Sequence, residues 1–297
     1  MTPEERELLR GAVRDAIAAA PVDRIDDALA ELGWLDMLAT EPDDAIAIVF
    51  ETLGALNATA SVLDDVVVTG LGLHPSPTLA AALPAFGTWV APGPAALATA
   101  RVTTATEIVA GGHPVPIARA TSAPLGGIDP TMKLFTVSIE TTEILESWDD
   151  AVALGRRAIA HQIAGATRAM LDFARTHALE RVQFGRPVAR FQAVRHKLAE
   201  SLVAIQALDA TLGAAAAEPG PLTAALAKAV AGQTARTVGT HCQQVLAGIG
   251  FTTDHAFHTY LRRTMLLDGL FGAADDVVVA IGHELLAGGP VPTLIEL

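Results

Sequence analysis

The feature that most constrains the fold is a pair of apolar stripes separated by a hard break. Val152, Ile159, Ile163, Ala166, Met170 and Phe173 recur at intervals of three, four and seven. Phe191, Val194, Leu198, Leu202, Ile205, Leu208 and Leu212 do the same. Such spacing puts each set on one face of an α-helix, as in a helical bundle. Between the stripes, Gly185 and Pro187 stop one helix and let the next begin. A second break, Glu218-Pro219-Gly220-Pro221, precedes a helix predicted over 221–247. Its Ala, Gly and Thr content lets another backbone approach closely. Gln233, Thr237, His241 and Gln244 form a polar row along it, which needs partners inside the bundle if it is buried.

The remaining chain divides by composition. Residues 3–20, 23–39, 43–57, 59–73 and 76–85 read as helices, the first opened by Pro3 with Glu4 and Glu5 at the positive helix end. Asp43, Asp44, Asp64 and Asp65 read as caps and solvated faces. Over 86–145, Gly, Pro, Thr and Val dominate, with β-like runs TWVA, ARVTTATEIVA, HPVPIARAT and KLFTVSIE, and a hairpin turn at Gly111-Gly112. Ser147, with Asp149 and Asp150, makes an N-cap region for the next helix. The expected fold is mainly α with a small β segment: an N-terminal helical domain over 1–85, a reduced β-domain over 86–145 and a C-terminal helical bundle over 146–297.

At 297 residues and 51% hydrophobic, the chain can bury a large core, removing roughly three quarters of its unfolded surface from water. A net charge of -13 argues against nucleic acid or an anionic membrane as the main partner. Cys242 is the single cysteine, so no internal disulfide forms and a reducing compartment is expected. The charged N-terminus does not read as a signal peptide. No uninterrupted apolar run of about 18 residues reads as a membrane span. The expected location is cytoplasmic.

Chemistry concentrates at the break between the two stripes. Arg181 and Gln183 sit at an inter-helix corner, where rigid neighbours can hold a ligand. A guanidinium fork with an amide suits a pyrophosphate or nucleotide. A corner arginine also serves as a solvated or carbonyl-capping group, and the residue types alone leave both roles open.

Arg181, Phe184, Gly185, Pro187, Phe191 and Gln192 match the R-x-x-F-G-x-P signature, with its following F-Q, of acyl-CoA dehydrogenases. Gln244 to Phe251 resembles that family's Q-x-x-G-G-x-G-F/Y, with Ala247 in place of the first glycine. The resemblance implies a fold of N-terminal helical domain, middle β-domain and C-terminal four-helix bundle. It also implies that Arg181, Gln183, Phe184, Phe191, Gln192, Gln244 and Gly248 contact the adenine dinucleotide part of FAD, across a subunit interface. Gly250 to Arg263, GFTTDHAFHTYLRR, is similar to a run in a bacterial branch that includes heteromeric enzymes of steroid-derived CoA thioesters. His255 and His258 are not read as metal ligands, since no third ligand accompanies them. Arg262 and Arg263 read as salt-bridging groups. Arg156, Arg157, Arg168 and Arg175 read as solvated helix arginines that could otherwise meet phosphates.

The same resemblance exposes two losses. The family's Thr/Ser-rich segments for the flavin ring are absent, and 86–145 is about half the usual length. The catalytic glutamate, which removes the α-proton of the thioester, is also missing. One family position for it is Phe271 here; the other is Gly155. The resemblance therefore implies the small, base-less subunit of a heteromeric acyl-CoA dehydrogenase, inactive alone. It would share FAD with a larger Glu-bearing partner in a heterotetramer of two plus two. A bulky, steroid-type acyl-CoA would be the substrate, and electron-transfer flavoprotein or a similar carrier the acceptor. The alternatives are a homomeric enzyme using Asp275 or Asp276 as a displaced acid, with Asp268 also close in sequence, or a non-catalytic assembly module.

Overall fold

The computed structural model describes residues 1–93, 95–139 and 146–289. Helix α1 (Pro3–Ala19) starts with a capping box: Thr2 Oγ1 accepts the Glu5 N–H, and the Glu5 carboxylate accepts the Thr2 N–H at 2.7 Å. The stretch expected as one helix over 23–39 is two, α2 (Ile25–Glu31) and α3 (Trp34–Thr40). Gly33 divides them by adopting φ +79°. Then come α4 (Pro42–Ala55) and α5 (Leu63–Gly70).

Residues 76–85 are not helical, contrary to expectation; they hold strand β1 (Leu79–Ala81). Pro77 and Pro84 bracket this stretch and disfavour helix beside them. A second strand, β2 (Ala96–Ala98), follows, and then β3 (Glu107–Val109), with which β1 pairs in parallel. β3 turns back through Gly111, at φ +75°, into β4 (Val115–Pro116), placing a hairpin turn where Gly111-Gly112 was read. β5 (Ala120–Pro124), β6 (Phe135–Ile139) and β2 make a second antiparallel sheet in the order β2-β6-β5. The TWVA run forms no strand.

Helix α6 (Trp148–Glu180), 33 residues long, is the axis of the molecule. Ser147 does not cap it through its side chain; its Oγ donates instead to the Leu71 carbonyl at 2.9 Å, tying α6 to the end of α5. α6 crosses α4 at backbone contact. A β-carbon on Gly54 would lie 1.9 Å from the Gln162 carbonyl oxygen, and one on Gly165 would lie 2.0 Å from that of Glu51. α7 (Gln192–Ala217) and α8 (Pro221–Leu246) build the C-terminal bundle on α6, and α9 (Phe257–Gly269) and α10 (Ala274–Leu286) close it. Among the described residues α7 alone is long and apolar enough to cross a membrane, a candidate the run-by-run sequence reading did not pick out. It packs against α8 with one face, while Leu202, read as part of its apolar stripe, is 49% exposed, beside the exposed Val203.

Two buried polar clusters lock this architecture. Arg263, on α9, is fully buried. It binds the Asp129 carboxylate, donates to the Ala58 carbonyl at 2.8 Å, and reaches Thr59 Oγ1 at 2.9 Å and Thr131 Oγ1 at 3.0 Å. One guanidinium thus joins the last helices, the turn after α4 and the β segment. In the second cluster Asp64 and Asp65 are buried, not solvated as expected. Asp65 accepts from Trp34 Nε1 and Arg101 Nη2, both at 2.9 Å, and Asp64 accepts from Thr99 Oγ1 at 2.9 Å. Two carboxylates share one guanidinium, and burial, with Asp65 adding repulsion, pushes Asp64 up to about 7.

Candidate functional site

The corner between α6 and α7 is a miniature hairpin of β7 (Val182–Gln183) and β8 (Arg186–Pro187). Its two turn residues, Phe184 and Gly185, have φ +54° and +77°. A tight two-residue turn of that hand suits the strand twist, and glycine adopts it freely whereas phenylalanine does not. Phe184 is nonetheless held there with 90% of its surface exposed. Its ring meets Phe191 edge-on at 6.1 Å, and the Arg186 guanidinium lies 4.4 Å from the centre of the Phe191 ring.

The end of α8 comes to the same place. Ala247 closes that helix at φ 53°, ψ −134°, a conformation suited to glycine, and turns the chain into a 3-10 segment over Ala247–Phe251. The two motifs, more than 50 residues apart in sequence, thereby wall one groove of about 660 Å³. Arg181, Gln183, Phe184, Phe191, Gln244 and Gly248 all line it. Gln192 stands apart from that lining: it begins α7, and its Nε2 lies 3.4 Å from His196 Nε2.

Arg181 is exposed and has no carboxylate partner among the described residues. Gln183 turns its amide to the Val182 carbonyl at 2.9 Å. Gln244 is exposed at the groove. The expected polar row on α8 is not an internal network. Gln233 is exposed like Gln244, Thr237 is half-buried, and His241 lies 3.6 Å from Glu200. The groove also includes His177, Val188, Val194 and Ile249, which the motif reading passed over. The available signal for His177 was its place four residues before Arg181, on the same helix face.

The two positions read as lacking a base are in contact. Phe271 is 1% exposed, at φ +56°, and its ring lies on Gly155 of α6. Arg156 Nε donates to the Phe271 carbonyl at 3.1 Å, and its guanidinium stacks 5.0 Å from the Trp89 ring centre. Lys228 of α8, fully buried, donates to the carbonyls of Asp268 at 2.6 Å and Gly272 at 2.8 Å. Burial holds Arg156 down to about 10 and Lys228 down to about 8. Arg156 and Arg157 are thus buried rather than solvated, and Arg157 pairs with Asp43.

Two of the nearby acids are engaged elsewhere, and the third faces solvent. Asp268 accepts from Lys228 and from the Ala274 N–H that opens α10. Asp275 forms a two-point pair with Arg236 at 2.6 and 3.1 Å on the surface, and Asp276 is exposed. Further along, His255 Nδ1 accepts the Phe257 N–H at 3.0 Å and His258 Nδ1 meets the His255 carbonyl at 2.8 Å.

Comparison with known proteins bears on the fold and on the C-terminal domain. Residues 147–282 match the acyl-CoA dehydrogenase C-terminal domain. Acyl-CoA dehydrogenase IpdE2 of Mycobacterium tuberculosis is 28% identical over 291 residues, covering 88% of this chain and 91% of the relative. Acyl-CoA dehydrogenase FadE34 of the same organism is 34% identical over 152 residues, 49% of this chain, but that match spans 21% of FadE34. Among solved structures, a variant of the Tcur3481-Tcur3483 steroid ACAD superposes with a TM-score of 0.81 at 20% identity, covering 96% of this chain and 98% of that one. The ChsE4-ChsE5 complex from Mycobacterium tuberculosis gives 0.78 at 20% identity, covering 98% and 99%. Residues 147–282 are thus an acyl-CoA dehydrogenase C-terminal domain, and the chain as a whole shares the fold of these solved structures.

Proposed function

We propose that this chain is the base-less subunit of a heteromeric, FAD-dependent acyl-CoA dehydrogenase. The observation that carries the reading is a contrast within one helix. At its C-terminal end, α6 presents Arg181 to an open groove; near its start, Gly155 lies under the Phe271 ring.

The groove's donors fit the nucleotide end of FAD, the cofactor that acyl-CoA dehydrogenases use. Arg181 supplies an uncompensated positive charge for a pyrophosphate, Gln183 and Gln244 supply amides, and Phe184 and Phe191 supply flat apolar surface. When bound there, FAD would supply the hydride acceptor for the β-carbon of the acyl group. That step also needs a carboxylate within hydrogen-bond reach of the α-proton. Phe271 and Gly155 offer none, and Asp275 is turned to Arg236 at the surface. A larger, Glu-bearing partner therefore supplies the base and the flavin-ring contacts, in an assembly of two plus two. This chain contributes the helical platform for the nucleotide. The exposed faces of Phe184 at 90% and Phe251 at 72% sit where such a partner would cover them. The three-part division at 85/86 and 145/146 belongs to the same proposal.

One structural neighbour is a steroid acyl-CoA dehydrogenase and another is a two-component complex. They support a bulky, steroid-type acyl-CoA as the substrate class. The test is the visible absorption spectrum of this chain purified alone and with its candidate partner. Flavin only in the paired sample, at one FAD per pair of unlike chains, is the expected result. Flavin bound by the lone chain overturns the shared site.

A further inference from the structure

A second titratable group lines the groove beside Arg181. His177 lies one turn earlier on α6, and the Arg181 N–H donates to its carbonyl at 2.9 Å. Residues four apart share a helix face, so the imidazole and the guanidinium stand side by side on one wall. The charged and titratable groups near His177 are Glu180 and Arg181 at the end of its own helix, and His255 from the segment before α9. His255 is fixed in place: Phe173 packs against it edge-on at 5.2 Å, and its Nδ1 is occupied by the Phe257 N–H.

This arrangement opposes a charge on His177 while the groove is empty. Partial burial, then Arg181 and His255, hold its imidazole below the ordinary histidine value. It is neutral near pH 7 and becomes a cation only as the pH falls. A diphosphate beside Arg181 reverses that balance, because its two negative charges outweigh the repulsion of the guanidinium.

We propose that His177 is a proton-linked contact for the diphosphate of a nucleotide held in this groove, so that binding takes up a proton and tightens in mild acid. The inference rests on the nucleotide-binding reading above, and adds to it a residue and a pH dependence that neither motif contains.

The test uses the complex of this chain with its candidate partner, stripped of flavin, and ADP-ribose, whose diester diphosphate keeps both charges across the range examined. Calorimetric titration at pH 5.5 and pH 8.0 is expected to show about five-fold tighter binding at the lower pH, the scale of one added, partly screened charge. Binding heats at pH 6.5 should also vary with the ionisation enthalpy of the buffer, reporting the proton taken up. In His177→Gln both the pH slope and the buffer dependence should vanish, with a melting curve confirming the fold. Arg181→Ala should weaken binding at both pH values.

A slope that survives in His177→Gln, or is absent from the wild type, overturns the role of His177 while leaving the nucleotide groove standing. ADP-ribose that does not bind, or binds Arg181→Ala as tightly as wild type, overturns the groove itself and the inference with it.

Discussion

The ring of Phe271 rests on the backbone of Gly155: a β-carbon at position 155 would lie 2.7 Å from both Cε1 and Cζ of that ring. The contact joins the start of the bundle's central helix to the turn between α9 and α10. It fills with hydrocarbon the space where either residue could otherwise have carried a carboxylate. Phe271 has no free direction to move, being 1% exposed, while Arg156 and Lys228 hold the carbonyls of its own turn.

Gly155→Ala should therefore destabilise the protein by about 1–3 kcal/mol, the range for overpacking a filled core. Phe271→Leu alone should also destabilise, through lost packing. Together the two should cost less than their sum, because the smaller side chain relieves the clash. Urea unfolding of the four proteins reads this out. Additive costs would mean that the two residues do not press on each other.

At the other end of the molecule Ala247 occupies a backbone conformation that favours glycine, with φ 53° and ψ −134°. Such a residue carries strain of order 1–3 kcal/mol. Ala247→Gly should raise stability by about 1 kcal/mol, the strain relief being offset in part by the greater freedom of unfolded glycine. Thermal unfolding checks the sign, and ADP-ribose affinity should stay near the wild-type value, since the backbone path already suits glycine.

Arg263 makes a different kind of contribution. Removing it leaves Asp129, at 7% exposure, without its cation, along with the Ala58 carbonyl and two threonine hydroxyls. Breaking one side of a buried ion pair costs about 3–5 kcal/mol. Arg263→Ala should lower stability on that scale, and proteolysis should then cut first around 58–60 and 129–132. A loss below about 1 kcal/mol would show that the three regions hold together without it.

Asp64 sets a pH dependence. Its folded value is raised to about 7 from 3.8, chiefly by burial, so the folded state keeps a proton that the unfolded chain has already released. The folded state binds more protons between those values, and stability must fall as pH rises from about 4 to 7. Asp64→Asn removes the titration. The wild type should lose stability on going from pH 5 to pH 8 relative to this variant, by about 2 kcal/mol. Parallel urea curves at the two pH values test it, and an equal response in both proteins would refute the assignment.

Much of the fold was legible in the chain. Stripes at intervals of three and four gave α6 and α7, and the glycine and proline breaks set their ends near 185 and 220. Local reading failed where long-range pairing decided. Residues 76–85 read as helix because they are rich in Ala and Leu, yet Leu79–Ala81 pairs with Glu107–Val109. Asp64 and Asp65 read as solvated because carboxylates usually are. Their guanidinium, Arg101, lies more than 30 residues away and becomes a partner only when the 3-10 turn of Ala100–Thr103 brings it to α5.

The sequence by itself determined the helical bundle, the identity of the groove's donors and the absence of a carboxylate at 155 and 271. Each of these is written in residue type and local spacing, which persist in any conformation. Only the tertiary structure decided that the two motifs share one groove and that Phe271 covers Gly155. Those are contacts across many residues of chain, fixed by how α6 packs against α8 and the α9–α10 turn, and no local pattern encodes them.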